Sequence, residues 1–323
     1  MSLKKNRKTV VLGTGGTIAG VRADSPNPDF YESGRLRVTD LVNFSEEEHA
    51  HIECLDVAQI DSKNMGLPVW QALVKAMLNA FSREDVGSVV ITHGTDTLEE
   101  TAYLLQSLGP WPGPVVMTCA MRPADHPQAD GPANLRDALS WAMQAPTHGV
   151  YVVFNQQAHH ALSVQKISTD PLRAFSSGFA PLAAEKIDGA WVWQSDPPAV
   201  PRCDMPTTTH FLGATQWPRV EWLTHHAGCG SEVIDVLLGS QGNSVNPLRG
   251  LVIAGTGAGS FNGRWNTSLK AASDQGLAIW ISSRCAWGKS LPQANQTAGE
   301  LVELPPAKAC MAMALSLMAQ DAK

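Results

Sequence analysis

The chain has 323 residues, 44% apolar and 17% charged, with a formal net charge of -6. That length exceeds what one hydrophobic core usually organises, so two domains are expected, and the balance is far from that of a disordered chain. No run of Lys or Arg follows the short Lys4-Lys5-Asn6-Arg7-Lys8 start, so no basic face offers itself to nucleic-acid phosphates. No apolar stretch approaches the roughly 18 residues of a membrane span.

In chain order, Thr9–Leu12 reads as a buried first strand. The alternative, the apolar core of a signal peptide, is interrupted by Gly13, Gly15, Gly16 and Gly20 and is followed by no clean cleavage site. Further strands are predicted at His51–Leu55, Ser88–Thr92, Pro114–Cys119 and Gly149–Asn155. Between them, Trp70, Leu73, Val74, Met77, Leu78 and Phe81 follow the i, i+3, i+4, i+7 template and predict a helix over Leu67–Phe81. A second helix is expected from Thr97, with Thr97 and Glu100 as a capping box, and a third near Ala133–Gln144. The stretch Asp196–Thr209 holds Pro197, Pro198, Pro201 and Pro206 without periodicity and reads as a linker. Beyond it, strands at Arg219–Leu223, Leu251–Ala254 and Leu277–Ser282 alternate with helices at Ser231–Leu238, Thr267–Asp274 and Pro306–Gln320. Alternation of this kind points to an α/β chain: a larger N-terminal parallel-sheet domain over residues 1–195, a linker over 196–209, and a smaller C-terminal α/β domain over 210–323.

Cys54, Cys119, Cys203, Cys229, Cys285 and Cys310 are scattered with no CxxC pair, which fits free thiols in a reducing cytoplasm. The doublets His159-His160 and His225-His226 lack metal-ligand spacing, so no metal is expected.

Two segments set threonines just after a buried strand: Gly13-Thr14-Gly15-Gly16-Thr17-Ile18-Ala19-Gly20 and Thr92-His93-Gly94-Thr95-Asp96-Thr97. Open α/β sheets bind ligands beyond the carboxyl ends of their strands. A dinucleotide loop would need glycine at Ile18, and the same pattern in Gly255-Thr256-Gly257-Ala258-Gly259 fails at Ser260; neither ends as a phosphate-binding GK[ST] loop. A tight glycine turn with incidental threonines remains the plain reading of the first segment. In the second, Thr95 and Asp96 precede a helix whose N-terminal amides favour developing negative charge. A threonine hydroxyl is a weak nucleophile without a base or cation beside it; Lys166 is a candidate amine.

Thr14-Gly15-Gly16-Thr17-Ile18-Ala19 and His93-Gly94-Thr95-Asp96-Thr97 resemble the two signature motifs of the bacterial-type L-asparaginase/glutaminase family. Ala120-Met121-Arg122-Pro123 and Asp130-Gly131-Pro132-Ala133-Asn134-Leu135 resemble the block that family carries after its fourth strand. The resemblance runs through most of residues 9 to 180 and more weakly beyond. It implies hydrolysis of the side-chain amide of L-asparagine through an acyl-enzyme. Thr17 would be the nucleophile and Tyr31 its flexible-loop assistant. Thr95, Asp96 and Lys166 would form a second triad in which lysine and threonine handle protons and Asp96 also meets the substrate's α-ammonium. Asp61 and Ser62 would hold the α-carboxylate. Gly16, Gly94 and Ala120 would line the pocket, the last two with Thr95 at the oxyanion position. The resemblance also implies a homo-oligomer, a tetramer built as a pair of dimers. The protein is expected to be cytoplasmic, with no metal or organic cofactor. Glutamine or another small amide as substrate, and a non-catalytic amino-acid-binding protein, are the alternatives. The second half departs from the pattern. Ser260 stands where the family often has asparagine, Ala294 where it has a glutamate reaching a neighbouring subunit, and Lys63 where secreted members often have glutamine.

Overall fold

A computed structural model of the chain describes residues 7–23, 30–41, 45–169, 173–198, 205–239, 244–293 and 297–322. Residues 199–204 of the expected linker, Asp170, Cys203 and Ala294 lie outside the described residues. Contacts divide the chain into two compact units, Met1–Val200 and Pro201–Lys323.

The first unit is built on an eight-stranded sheet. Across it the strands run Ala190–Trp193, Ala184–Ile187, Gln157–His160, Val150–Phe154, Val115–Thr118, Val86–Thr92, Lys8–Gly15 and Ile52–Ile60. The last five of these pair in parallel, and the first three join antiparallel. Apart from Ile52–Ile60 at the sheet edge, the parallel strands carry runs of Val, Ile and Leu. Val11, Leu12, Val89, Val90, Ile91, Val115, Val116 and Val152 are fully buried, as strands covered on both faces require. Helices Leu67–Phe81, Leu98–Ser107 and Gly131–Gln144 supply that cover. Leu73, Val74 and Met77 lose all contact with solvent, each worth about 2 kcal/mol of transfer free energy; Met77→Ala would cost about 2–5 kcal/mol through the cavity left behind.

The first strand in sequence lies between the second and the third. The chain therefore leaves the sheet in opposite directions at the boundary between Lys8–Gly15 and Val86–Thr92, and a crevice opens beyond their carboxyl ends. The antiparallel addition was not expected from the sequence. It is made by two-residue turns: Asn155 and Gln156 take φ 46° and 64°, and Asp188 and Gly189 take 49° and 82°, the left-handed pair that lets such a turn match the twist of its strands.

The expected capping box at Thr97 is a correction. Thr97 occupies the N-cap of Leu98–Ser107 without a side-chain capping bond; its hydroxyl donates instead to the Ser62 carbonyl at 2.8 Å. A capping box does form at Ser45 and Glu48, ahead of Glu46–His51.

The second unit holds a four-stranded parallel sheet ordered Arg219–Thr224, Leu248–Gly255, Ala278–Ser283, Glu300–Leu301. Glu232–Gly239, Gly263–Asp274 and Pro306–Gln320 are its main helices. The last is apolar on nearly every side, with Ala309, Ala312, Met313, Ala314 and Leu315 buried, as a helix enclosed by its unit must be. A short helix, Thr208–Gly213, opens with Thr207 as its N-cap.

Candidate active site

Three adjacent strands deliver Thr17, Asp61, Ser62, Thr95 and Asp96 to one end of the large sheet. Register pairs Gly13 with Thr92 on one side, and Gly15 with Ile60 on the other. Thr17 therefore leaves the first strand beside Thr95 and Asp96 from the third, with Asp61 and Ser62 following the second. The turn at Gly15 and Gly16 demands glycine. Gly16 sits at φ 79°, ψ -173°, a region almost closed to other residues. A Cβ there would stand 2.8 Å from the His93 carbonyl carbon and closer still to the backbone of Gly94. The two motifs touch through glycine because nothing larger fits.

Thr17 opens a one-turn helix and is 6% exposed. Its Oγ1 lies 2.8 Å from the Tyr31 hydroxyl. Tyr31 reaches it from a two-residue strand, Tyr31–Glu32, paired with Val21–Arg22. The second group is tighter. The Lys166 ammonium donates to Thr95 Oγ1 at 2.8 Å and to Asp96 Oδ1 at 2.6 Å, while the Thr95 hydroxyl donates to the same carboxylate at 3.4 Å. Lys166 is 19% exposed and Asp96 56%, so the lysine is sheathed and the carboxylate opens to solvent. Lys166 rides on a small hairpin, Gln165–Lys166 against Phe175–Ser176. Its amide donates to Glu99 Oε2 at 3.2 Å.

Ser62 is buried beside the second group. Its Oγ accepts the Asp96 amide at 3.3 Å, and a Cβ on Gly94 would stand 2.5 Å from that oxygen. Asp61 caps the short Ser62–Asn64 turn through the Lys63 amide, takes a bond from Ser33 Oγ at 3.4 Å and pairs with the Lys63 ammonium at 2.9 Å. Burial pushes the Asp61 carboxyl upward, but the bonds from Lys63 outweigh it and leave the group below its ordinary range. Asp61 in turn raises Lys63, with smaller help from Asp96 and Tyr31. Ala120, buried at the end of Val115–Thr118, adjoins this end too: a Cβ on Gly131 would meet Ile18 at 2.9 Å and Ala120 at 3.4 Å. His93 is fully buried, and burial lowers it to about 4. It is therefore neutral at pH 7, with Nδ1 donating to the Gly94 carbonyl at 2.7 Å.

All ten residues singled out in the sequence are described, and all belong to the first unit. Five of them form the two hydroxyl-centred groups, Thr17 with Tyr31 and Thr95 with Asp96 and Lys166. Gly16, Gly94 and Ser62 pack between these groups. Asp61 adjoins them through its capped turn, and Ala120 contributes position without a polar bond. Ser260, in the second unit, pairs with Thr256 through its backbone. Sequence reasoning passed over Ser33, Glu99 and the Lys63–Asp61 pair. Glu99 lies two residues past the second motif, and nothing in its spacing points to a residue 67 positions away. The histidine doublets have local partners: His159 meets Ser177 at 2.8 Å, His160 meets Ser195 at 3.0 Å, and His225 Nε2 accepts the Asn262 amide.

Family models match nearly the whole chain: "Asparaginase, N-terminal" over residues 8–199 and "Glutaminase/Asparaginase C-terminal domain" over 219–322. The chain belongs to the asparaginase family. Among asparaginases, it is 32% identical to a probable periplasmic L-asparaginase of Haemophilus influenzae over 86% of this chain and 78% of that one. It is 30% identical to a glutaminase-asparaginase of Pseudomonas fluorescens over 90% and 80%. A crystal structure of a probable cytoplasmic L-asparaginase from Campylobacter jejuni superposes with a TM-score of 0.83 at 31% identity, covering 96% of this chain and 95% of that one. Membership in the asparaginase family agrees with the two-domain α/β architecture described above. Among the described residues no helix is long and apolar enough to cross a membrane.

Proposed function

We propose that the chain hydrolyses the side-chain amide of L-asparagine to L-aspartate and ammonia through an acyl-enzyme on Thr17. The observation that carries the reading is the pair of partnered hydroxyls at one sheet end: Thr17 with Tyr31, and Thr95 with Lys166 and Asp96. Thr17 Oγ1 attacks the amide carbon, and Tyr31, at hydrogen-bond distance, receives or returns its proton. The carbon–nitrogen bond breaks and the amine departs as ammonia. Water then cleaves the threonine ester, with Lys166 and Thr95 moving the proton as acid and base. Asp96 meets the α-ammonium. Asp61 and Ser62 form the end that takes the α-carboxylate, and there Lys63 adds a cation. Gly16 lets the motifs meet, and Gly94, Thr95 and Ala120 border the place where the oxyanion develops, where one lost donor costs about 10²–10³ in rate.

In this reading residues 1–195 form the catalytic domain, 196–209 the linker and 210–323 the smaller domain. The protein acts in the cytoplasm as a homo-oligomer, a tetramer of two dimers, without a metal or organic cofactor. Scattered cysteines and the likeness to a probable cytoplasmic enzyme support the compartment. The substrate test is ammonia release from asparagine and glutamine side by side. Likeness to a glutaminase-asparaginase favours glutamine as the second substrate, and a rate on glutamine exceeding that on asparagine would replace the first reading with it. No release from either amide would leave an amino-acid-binding protein. Specific activity falling on dilution, with sedimentation showing dissociation, would support sites that need more than one subunit; a fully active monomer would refute that.

A further inference from the structure

We propose that Asp125 is a positioning residue that latches the Tyr31 hairpin onto the loop after the fourth parallel strand and so fixes the Tyr31 hydroxyl against Thr17. The proposal rests on the functional reading above and deepens it. The hairpin that carries Tyr31 pairs in its ladder only Val21 with Glu32 and Arg22 with Tyr31. A ribbon that small has no stability of its own in water, so its position must come from outside.

Ala23 N–H donates to the Phe30 carbonyl at 2.9 Å. Antiparallel pairs alternate between bonded and non-bonded. The next pair, Arg22 with Tyr31, is therefore a non-bonded one, and the Arg22 amide faces away from Tyr31. Asp125 waits on that outer side. Its Oδ1 accepts the Arg22 amide at 3.0 Å, and its Oδ2 accepts Arg22 Nε at 3.3 Å. The neighbouring Ala124 amide donates to the Gly20 carbonyl at 2.8 Å. Together these bonds act as a third strand for the ribbon, directly behind the residue that faces Tyr31.

The latch has a firm anchor. The loop continues from Val115–Thr118 past the buried Ala120, and Asp130 holds it by accepting the Met121 and Arg122 amides at 3.0 and 2.9 Å. Asn134 binds both the Cys119 carbonyl and Asp130. The Arg22 amide, and after it the Arg22 guanidinium, hold the Asp125 carboxyl below its ordinary range, so the acceptor is ionised at neutral pH. One carboxylate thereby couples the Tyr31 side of the site to the loop that carries Ala120.

An exposed ion pair adds little to global stability. A purely structural role would therefore leave no mark, whereas a positioning role predicts a selective one. Two variants and two readouts test this. In asparagine hydrolysis, Asp125→Ala should lower kcat by about 10²-fold, the scale of a small misplacement of a reacting group, with KM within about threefold and the thermal midpoint unchanged. Asp125→Asn keeps an acceptor for the Arg22 amide and should recover most of the rate. The second readout needs no activity. The chain has three tyrosines, and Tyr103 and Tyr151 are fully buried while Tyr31 is 39% exposed. Nitration by tetranitromethane, followed by peptide mass spectrometry, therefore reads Tyr31. Its rate should rise severalfold in Asp125→Ala and return in Asp125→Asn. An Asp125→Ala protein with wild-type kcat and wild-type nitration overturns the latch, as does a loss of rate that tracks a loss of thermal stability and is not restored in Asp125→Asn. Wild-type protein that releases no ammonia would refute the functional reading; the nitration comparison would still decide whether Asp125 holds the hairpin.

Discussion

Substituting Gly16 by alanine tests whether the contact between the two motifs is as tight as the geometry requires. The residue's φ of 79° and ψ of -173° put alanine in a backbone region that costs about 1–3 kcal/mol. The added methyl also meets the backbone of His93 and Gly94, and overpacking of this kind costs about 1–3 kcal/mol more. Backbone cannot swing aside as a flexible side chain would. Gly16 is held further by its amide on the Ile60 carbonyl at 2.8 Å and by the Gly34 amide on its own carbonyl at 3.0 Å. The expected loss is therefore about 2–6 kcal/mol, a large share of the 5–15 kcal/mol of a typical domain. Strain relieved by parting the motifs would move Thr17 away from Thr95, so protein that still folds should turn over asparagine slowly. Urea unfolding and ammonia release on the same preparations give both quantities. Gly263→Ala is the control, because its added methyl meets nothing within 4 Å at the start of a helix, where alanine should be neutral or slightly stabilising. Gly16→Ala with wild-type midpoint and wild-type turnover would refute the reasoning.

Removing the amine in Lys166→Met should slow asparagine hydrolysis by about 10²–10⁴; turnover within threefold of wild type in steady-state assays would exclude Lys166 from proton transfer. Thr17→Ala should abolish the covalent adduct formed with an electrophilic asparagine analogue, read by intact mass, while aspartate still binds; label appearing on Thr95 would reverse the roles of the two threonines. Asp96→Ala should weaken aspartate binding by about 1.5–3 kcal/mol, seen by calorimetry, and an unchanged Kd would remove it from the α-ammonium site. His93 and His160 are both lowered to about 4 by burial. The unfolded chain, with histidines near 6.5, binds more protons between these limits, so stability should fall as pH drops from about 6.5 to about 4. The loss approaches about 3 kcal/mol for each histidine; a flat unfolding free energy across that window would contradict it.

Much of the scaffold was legible because its signals are local. The apolar spacing of Leu67–Phe81 and the apolar run of Pro306–Gln320 gave helices with the observed bounds. The β-branched runs gave all five parallel strands of the large sheet to within a few residues, except that the second extends to Ile60. The antiparallel strands were missed because each is only four residues long, although Asp188-Gly189 is itself a hairpin signal. Thr97 misled because a local capping pattern lost its hydroxyl to Ser62, 35 residues earlier. The threonine segments were readable as strand ends. By contrast, the bond from Lys166 to Asp96 spans 70 positions. Chemical need nominated the lysine, and only the sheet order explains how it arrives. Asp61 and Lys63 were each noted, but their ion pair was not, and Asp125 carried no motif at all.

The sheet order also sets when the site can exist. Thr17 precedes Lys166 by about 150 residues, and ribosomes add roughly 5–20 residues per second. The Thr17 turn would thus emerge many seconds before the hairpin that carries the Lys166 amine. The first strand can meanwhile pair with the second and the third, which both emerge ahead of the hairpin, although such long-range pairings form slowly. A nascent or truncated chain ending before the hairpin would hold Thr17 and Thr95 without their ammonium. Activity regained on refolding would accordingly register the last of the long-range closures in the first unit, and lag behind the return of helix measured by circular dichroism.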